Sequence, residues 1–226
     1  MGDTIEFMRN GHRVGAYLAK PKGAGPSPAV IVIQEWWGLN DHIKDMAERY
    51  AREGYVALAP DLYHGKVTAD ANEASKLMGA LSREDAVKDL LGAVAHLRGL
   101  KEVRGDRIGV TGFCMGGSYA LLLPCRSKDI RAAAPYYGEI PDEATLKNLA
   151  CPILYIYGDA DVWITKDEVK RLEATLKKLN KHGEVKIYPG APHGFFNDTR
   201  KDVHRPTEAQ DAWRRTLDLF TEHLKG

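Results

Sequence analysis

A strong net charge, clustered cysteines and long apolar runs are all missing from this sequence, and each absence excludes a class of protein. The formal net charge is only +1, which gives no electrostatic reason to expect nucleic acid or an anionic membrane as a partner. The longest apolar run near the start, residues 29–33, is far too short to cross a bilayer. We therefore expect a protein with no membrane or nucleic-acid partner, which acts on a small molecule as a monomer or homodimer.

Export and redox signals are also scarce. The first residues lack a cationic stretch followed by an apolar one, and Glu6 stands where an acylation signal needs Ser or Thr. Only three cysteines occur, an odd number, and none has the C-x-x-C or C-x-x-H spacing of a zinc site. These features argue against a disulfide framework and against a structural metal. The expectation is a soluble protein of the reducing cytoplasm.

Apolar runs rich in β-branched residues alternate with longer segments of helical period, which is typical of an α/β fold with a mostly parallel sheet and helices on both faces. The pattern predicts eight strands at residues 4–9, 14–20, 29–34, 56–60, 107–111, 130–136, 153–157 and 184–188. It predicts helices near residues 42–53, 71–79, 83–97, 115–124, 166–181 and 207–224. The turn Asn10-Gly11 predicts an antiparallel hairpin at the sheet edge. Without an internal repeat or interdomain linker, residues 1–226 are expected to form one domain.

The segment G-F-C-M-G, residues 112–116, places a reactive side chain between two glycines, after a predicted strand and before a predicted helix. This order is typical of a nucleophile elbow, a turn so tight that its flanking positions tolerate almost no side chain. A helix amino terminus also favours thiolate over thiol. We interpret Cys114 as a nucleophile, with a buried cysteine in a glycine-rich turn as the alternative. Cys125 and Cys151 lack this context and are expected in the core.

A nucleophile on such a sheet needs an acid and then a histidine, each on a loop after a later strand. The seventh predicted strand leads into Asp159 and Asp161, and the eighth leads into His193. Because parallel strands end at one edge, these loops are expected to meet Cys114. Asp161 is favoured as the orienting acid since the third residue past the strand-end glycine is the usual acid position, while Asp159 stays as its rival. His193 is favoured as the base because the other histidines lack a strand-end position.

A second polar segment, Gln34-Glu35-Trp36-Trp37, follows the third predicted strand. An oxyanion hole takes one backbone amide from the residue after the nucleophile, here Met115, and another from this loop, for which Trp36 is the candidate. Glu35 is a carboxylate at the end of a buried strand, where a charge is costly without a partner. From the residues alone, a pairing with a nearby cation or hydroxyl is slightly favoured over a catalytic role for Glu35.

Taken together, these segments resemble the dienelactone hydrolase family, whose members open enol-lactones with a Cys-His-Asp triad on the α/β-hydrolase fold. The resemblance covers nearly the whole chain. It rests on V-I-Q-E-W-W-G-L-N (residues 32–40), A-P-D-L-Y (59–63), G-F-C-M-G-G (112–117), Y-Y-G (136–138), G-D-A-D (158–161) and H-G-F (193–195).

The resemblance implies a hydrolase of a carboxylic ester or lactone that forms an acyl-thioester and needs no cofactor. Its implied catalytic residues are Cys114 as nucleophile, His193 as base, Asp161 as orienting acid and Glu35 as a carboxylate that helps to activate the thiol. The implied oxyanion donors are the amides of Trp36 and Met115. The residues expected to contact the substrate are Trp37, Tyr136, Phe195 and Asn197.

Two positions depart from the family pattern. The best-studied lactonases of the family hold a substrate carboxylate with two arginines, and the corresponding places here are Ala71 and Asn197. Arg83 or Arg200 would have to substitute, and each is equally well explained as a surface charge. We therefore expect only modest discrimination between a carboxylate-bearing dienelactone and an uncharged ester. The rival functions are a general carboxylesterase or thioesterase, a thiol redox sensor and a non-catalytic binding domain.

Overall fold

The computed structural model describes residues 2–23 and 25–226. Its strands are β1 Asp3–Arg9, β2 His12–Ala19, β3 Ser27–Ile33, β4 Val56–Pro60, β5 Val103–Phe113, β6 Ile130–Tyr136, β7 Ile153–Gly158 and β8 Gly183–Tyr188. Its α-helices are α1 Asp41–Arg52, α2 Ala71–Ala80, α3 Arg83–Gly99, α4 Met115–Leu122, α5 Glu143–Leu146, α6 Lys166–Lys178 and α7 Pro206–Phe220. The strands form one sheet in the order β1-β2-β4-β3-β5-β6-β7-β8.

Helices cover both faces of this sheet, as predicted. In β3, Ile31 and Ile33 pack into one buried cluster, which also contains apolar residues of α3, α4 and α6. Val30 and Val32 pack into a second cluster on the opposite face, with residues of α1 and α7. Successive strand residues point to opposite faces, so a strand that is apolar throughout must be covered on both sides. Among the described residues, no helix combines the length and apolarity needed to span a membrane.

The predicted antiparallel edge is also confirmed. Strands β1 and β2 pair antiparallel across a turn in which Asn10 and Gly11 have φ of 48° and 85°. Two successive left-handed residues give the turn twist that matches a hairpin, and asparagine and glycine adopt this conformation at little cost. Strand β2 then pairs antiparallel with β4, whereas every later neighbouring pair is parallel.

The structure differs from the sequence prediction mainly at element ends. Strand β5 begins at Val103 and ends at Phe113, so it is longer than predicted at both ends. The single turn α5 was not predicted; it is capped by Asp142, whose carboxylate accepts a hydrogen bond from the Thr145 amide at 2.8 Å. One helical turn is too short to produce a visible hydrophobic period. The chain after α7 continues as a π-helical turn, Thr221–Lys225, within the segment predicted as one helix.

Four loops at the carboxyl edge of the sheet carry the residues singled out above. Glu35 and Trp36 follow β3, Cys114 follows β5, Asp161 follows β7 and His193 follows β8. This edge is where open parallel sheets bind ligands, because the strand ends leave a crevice between diverging loops.

Candidate active site

Cys114 occupies a strained turn between β5 and α4. Its φ is 57° and its ψ is −118°, a conformation that costs a non-glycine residue about 1–3 kcal/mol. The turn is held in place because the Cys114 amide donates to the Tyr136 carbonyl at 3.1 Å. A Cβ atom on Gly112 would overlap the Gly116 carbonyl, and one on Gly116 would overlap the backbone at the end of β3. The two glycines therefore let the backbone of the turn pack closely against the start of α4 and the end of β3. This packing leaves Cys114 at the amino terminus of α4.

His193 and Asp161 form a fixed pair beside this turn. The His193 Nδ1 group donates to Asp161 Oδ2 at 2.7 Å, and the Asp161 side chain is completely buried. The other oxygen, Oδ1, accepts the amides of Trp163 at 2.7 Å and Ile164 at 3.0 Å. Three donors thus stabilise the carboxylate in one position. With Nδ1 engaged by Asp161, the ring nitrogen left for proton transfer in the cavity is Nε2.

The surroundings of His193 strongly favour its protonated form. Burial lowers the pKa of the imidazole, but its hydrogen bond with Asp161 and its interaction with the neighbouring Cys114 side chain more than offset this and raise the pKa from 6.5 to about 10. A carboxylate that accepts from a histidine stabilises the imidazolium formed during proton transfer. The same contacts place the imidazole between Asp161 and Cys114.

Asp159, the rival acid, has a different position. Its Oδ1 atom accepts the Gly190 amide at 2.6 Å, and its Oδ2 atom lies 3.2 Å from Lys166 Nζ. These contacts join the loops after β7 and β8 on the outside of the site and lower the pKa of Asp159. The structure therefore brings Asp161 to His193 and leaves Asp159 as a tie between the two loops.

Glu35 is buried behind the cavity wall and is held by Asn197. Its Oε2 atom accepts from Asn197 Nδ2 at 2.7 Å, while Asn197 Oδ1 accepts from both the amide and the hydroxyl of Thr199. Burial raises the pKa of Glu35, and the Asn197 hydrogen bond and the charges of His193 and Arg200 oppose that rise. The buried Glu35 carboxylate therefore has a polar partner, and that partner is the side-chain amide of Asn197.

Tyr137 is a site residue that the sequence analysis missed. It lines the cavity with a φ of 39°, and its ring centroid lies 4.9 Å from that of His193. Its buried hydroxyl has no hydrogen-bond partner within residues 2–23 and 25–226. Burial raises the pKa of this phenol well above its usual value, and the nearby Glu35 and Cys114 add to the rise. The Y-Y-G motif, residues 136–138, was the available signal, but substrate contact was predicted for its first tyrosine, Tyr136.

The cavity wall does not include the four residues predicted to contact substrate: Trp37, Tyr136, Phe195 and Asn197. Tyr136 points the other way, because adjacent residues at a strand end face opposite sides, and its hydroxyl bonds to α7. Phe195 is fully buried, with its ring centroid 5.7 Å from that of Tyr137. Trp37 supports Arg200, whose guanidinium lies 5.9 Å from the indole centroid. Asn197 holds Glu35.

A cavity of about 590 Å³ opens over Cys114 and His193. Both predicted oxyanion donors, Trp36 and Met115, lie in its wall. Met115 is the first residue of α4, so its amide has no acceptor within the helix. The Trp36 amide likewise has no acceptor in the described ranges. These two amides are therefore free to bind an oxyanion.

The other two cysteines lie in the core, away from this cavity. Cys125 and Cys151 are buried, whereas Cys114 is partly exposed. Burial raises the pKa of the Cys125 thiol to about 11 and that of Cys151 further. Thiols in such surroundings are poor nucleophiles. The part of the chain that the structure describes contains no group of three or more His, Cys, Asp or Glu residues arranged to hold a metal ion.

Known proteins are similar to this chain along its whole length. "Protein usf" of Aquifex pyrophilus is 39% identical and aligns with 99% of this chain and 100% of its own length. A protein of Aquifex aeolicus described as "Putative carboxymethylenebutenolidase" is 35% identical over 100% of both chains. The structure of "Putative Dienelactone Hydrolase from Klebsiella pneumoniae subsp. pneumoniae MGH 78578" superposes with a TM-score of 0.93 at 30% identity, over 99% of each chain.

The match is as extensive at the level of the family. The model of the dienelactone hydrolase family matches residues 14–224, a range that includes all four loops of the site. An α/β-hydrolase sheet, a cysteine at the elbow and a matched segment of this length make the chain a member of the dienelactone hydrolase family.

Proposed function

We propose that this carboxylic ester hydrolase cleaves a small-molecule ester or lactone through an acyl-thioester on Cys114, with His193 as base and Asp161 as orienting acid. The observation that carries the proposal is the position of His193. It donates to the Asp161 side chain at 2.7 Å and lines the same cavity as Cys114, so that acid, base and nucleophile lie side by side. The name of the Aquifex aeolicus relative, a carboxymethylenebutenolidase, denotes the same class of reaction.

Acylation begins when the Cys114 sulfur attacks the substrate carbonyl carbon. A carbon–sulfur bond forms, and the negative charge on the carbonyl oxygen is stabilised by the amides of Trp36 and Met115. The intermediate then collapses and breaks the bond to the leaving oxygen, which takes a proton from His193 Nε2. In a lactone the leaving oxygen stays attached to the acyl group, so the whole opened molecule remains on the enzyme as a thioester.

Deacylation uses the same groups in reverse. His193 Nε2 takes a proton from a water molecule, whose oxygen attacks the thioester carbon. The two amides again stabilise the oxyanion. The carbon–sulfur bond breaks, the carboxylic acid leaves, and the thiolate takes back from Glu35 the proton that the thiol gave up before acylation. Asp161 keeps the imidazole in the tautomer and orientation that both steps need.

Glu35 supplies the base that generates the nucleophile. Because burial raises its pKa, this carboxylate accepts a proton more readily at neutral pH than an exposed glutamate does. In the structure it is bound to Asn197. On this proposal, substrate frees Glu35, which then turns toward Cys114 and takes the thiol proton, so that the thiolate forms when a carbonyl is present to be attacked. A thiol that stays protonated at rest is less exposed to oxidation.

The replacement of Cys114 by alanine tests the proposed nucleophile. The variant is expected to fold, because the elbow requires small neighbours at Gly112 and Gly116 rather than a particular side chain between them. Its hydrolysis of p-nitrophenyl esters is expected to disappear, while circular dichroism and the melting temperature stay close to wild type. Hydrolysis by Cys114→Ala at a rate near that of wild type would exclude this nucleophile.

A further inference from the structure

The cavity wall away from Cys114 is apolar and partly open to solvent. Its apolar side chains come from α2, α4 and the loop after β7, and include Met78, Leu81, Tyr119, Leu122, Val162 and Trp163. Three of them are strongly exposed: Met78 at 40%, Val162 at 85% and Trp163 at 66%. Half of the exposed large apolar side chains in the described part of the chain line this one cavity. Such a concentration of apolar surface indicates a binding site.

The two arginines of the cavity wall are each paired with a carboxylate. Arg83 Nη2 lies 2.7 Å from Glu139 Oε2, and Arg200 Nη2 lies 2.8 Å from Asp202 Oδ2. A further carboxylate, Glu168, also lines the cavity and carries no compensating lysine or arginine at salt-bridge distance among the described residues. Arg83 and Arg200, the two arginines that border the cavity, are thus already paired with a carboxylate, as His193 is with Asp161. An anionic substrate would gain little attraction and would meet repulsion from the acidic residues.

The apolar wall is fixed relative to the candidate catalytic residues. The Trp163 amide donates to Asp161 Oδ1 at 2.7 Å, so the residue that contacts His193 also holds the backbone that carries the exposed indole. The Trp163 ring contacts that of Trp36, with 6.2 Å between centroids. A group bound against Trp163 therefore lies at a defined place relative to the reacting carbonyl.

We propose that this wall binds the uncharged, apolar substituent of an ester substrate between Met78 and Trp163. In addition, Glu139 and Asp202 set the charge preference of the site, because they hold Arg83 and Arg200 away from a substrate carboxylate. The inference rests on the proposed function, since it takes Cys114 as the place of the reacting carbonyl. The substrate class is a neutral ester with an extended alkyl or aryl group on the acyl or the alcohol side.

Chain length tests the apolar site. Each methylene buried against the wall is expected to raise kcat/KM about two- to fourfold. We therefore expect kcat/KM to rise from p-nitrophenyl acetate through butyrate to hexanoate if the acyl group binds there, and from methyl to hexyl acetate if the alcohol does. Trp163→Ala is expected to lower the hexanoate-to-acetate ratio, or the hexyl-to-methyl ratio, about fivefold. Met8→Ala, which removes an exposed side chain from β1, is the control and should leave both ratios unchanged.

Charge preference tests the role of Glu139. p-Nitrophenyl hemisuccinate carries a carboxylate where the butyrate ester has a methyl group, and wild type is expected to prefer the butyrate. Glu139→Gln releases Arg83 and is expected to shift the kcat/KM ratio toward the hemisuccinate about two- to fivefold, the size typical of an exposed ion pair. Glu6→Gln removes the same charge from the exposed Arg13–Glu6 pair on the edge hairpin and should not change the ratio.

The outcomes separate this inference from the proposed function. If wild type hydrolyses acetate esters in a Cys114-dependent way but neither series rises with chain length, the apolar site is wrong and the nucleophile stands. If no ester is hydrolysed, the proposed function fails, and binding of the neutral fluorophore N-phenyl-1-naphthylamine decides the inference. Weaker binding to Trp163→Ala than to Met8→Ala supports the apolar site, and equal binding overturns it.

Discussion

The floor of the cavity and its rim are built in opposite ways. The floor consists of Cys114 and His193 together with the two residues behind them, Asp161 and Glu35. Strand ends and hydrogen bonds position these residues, and the Asp161 side chain is completely buried. The rim, Met78, Val162 and Trp163 with the Arg83–Glu139 pair, is exposed and lies on α2, the start of α3 and two loops. The contrast is sharpest between two adjacent residues: the Asp161 side chain is completely buried, whereas Val162 is 85% exposed.

This difference indicates that the floor and the rim have separate roles in the reaction. A change in the floor alters the groups that carry out the reaction or the hydrogen bonds that position them, so its effect on the reaction is large and independent of the substrate. A change in the rim alters solvent-exposed surface, so its effect is small and depends on the substituent that the substrate carries. Substitutions in each region test whether the two regions have these separate effects.

The largest effect after loss of Cys114 itself is expected for Asp161→Asn. The carboxamide has one oxygen, which the amides of Trp163 and Ile164 retain. Its NH2 group therefore faces His193 Nδ1, where it can neither accept a hydrogen bond nor stabilise an imidazolium, so kcat is expected to fall about a thousandfold or more. Asp159→Asn is the matched control, because it makes the same change two residues earlier, where the carboxylate contacts Gly190 and Lys166. Steady-state kinetics of both variants measure the difference. An equal loss of kcat from Asp159→Asn would contradict the assignment.

Glu35→Gln is expected to lower kcat/KM about a hundredfold, the effect typical of losing a general base. The substitution keeps the size of the side chain and a hydrogen bond to Asn197 but removes the basic oxygen. Labelling by iodoacetamide gives an independent measurement: Cys114 of the free wild-type enzyme is expected to react slowly, and faster when a substrate analogue is bound. Normal hydrolysis by Glu35→Gln, together with fast labelling of Cys114 without ligand, would make Glu35 a structural residue.

The His193–Asp161 pair is also expected to appear in the pH dependence of stability. The pKa of His193 is raised from 6.5 to about 10 in the folded protein, so folding favours the protonated ring. Its stabilisation is therefore present in full below pH 6.5 and is lost as the pH rises from there through about 10. Over this range the unfolding free energy of wild type is expected to fall more than that of His193→Gln, by a few kcal/mol.

Denaturant titrations at the two ends of that range measure this difference. His12→Gln, which replaces an exposed histidine on β2, serves as the control and should retain the wild-type pH dependence. If His193→Gln and wild type lose the same unfolding free energy between the two pH values, the His193–Asp161 pair does not contribute to the pH dependence of stability.

The smallest effects on rate are expected for the core cysteines. Cys125→Ala and Cys151→Ala remove buried side chains that lie outside the cavity wall, so kcat/KM should stay within about a few-fold of wild type. The loss should appear in the unfolding free energy instead, at about 1 kcal/mol for each variant. A large fall in ester hydrolysis for either variant, without a loss of folding, would show that a second thiol takes part.

The sequence predicted the floor far better than the rim, for a physical reason. The elbow, the acid and the histidine each follow a strand directly, and strands reveal themselves by local runs of apolar residues. The Glu35–Asn197 contact joins loops far apart in the chain, and no local pattern indicates it. The cavity wall contains Tyr137 rather than Tyr136 because of the side that a single residue faces at the end of β6, which no local sequence pattern indicates.

The rim itself left no signal in the sequence. Trp163 and Val162 follow Asp161 in a segment with neither helical nor strand period, and Met78 lies on α2, of which only Ala74 is buried. Whether such side chains gather at one cavity depends on the packing of α2 beside the loop after β7. The ion pair between Arg83 and Glu139 is equally nonlocal, because it joins the start of α3 to the loop after β6.

Direct detection of the acyl-enzyme is the most direct test of the thioester at the centre of this mechanism. Wild-type enzyme mixed with excess p-nitrophenyl ester, quenched in acid within milliseconds and digested, is expected to carry the acyl mass on the peptide that contains Cys114. The modification should be removed by neutral hydroxylamine, as expected of a thioester, and should be missing from Cys114→Ala. Acylation of Ser118, the hydroxyl residue one turn along α4 that also lines the cavity, with no acyl mass on Cys114, would contradict the mechanism.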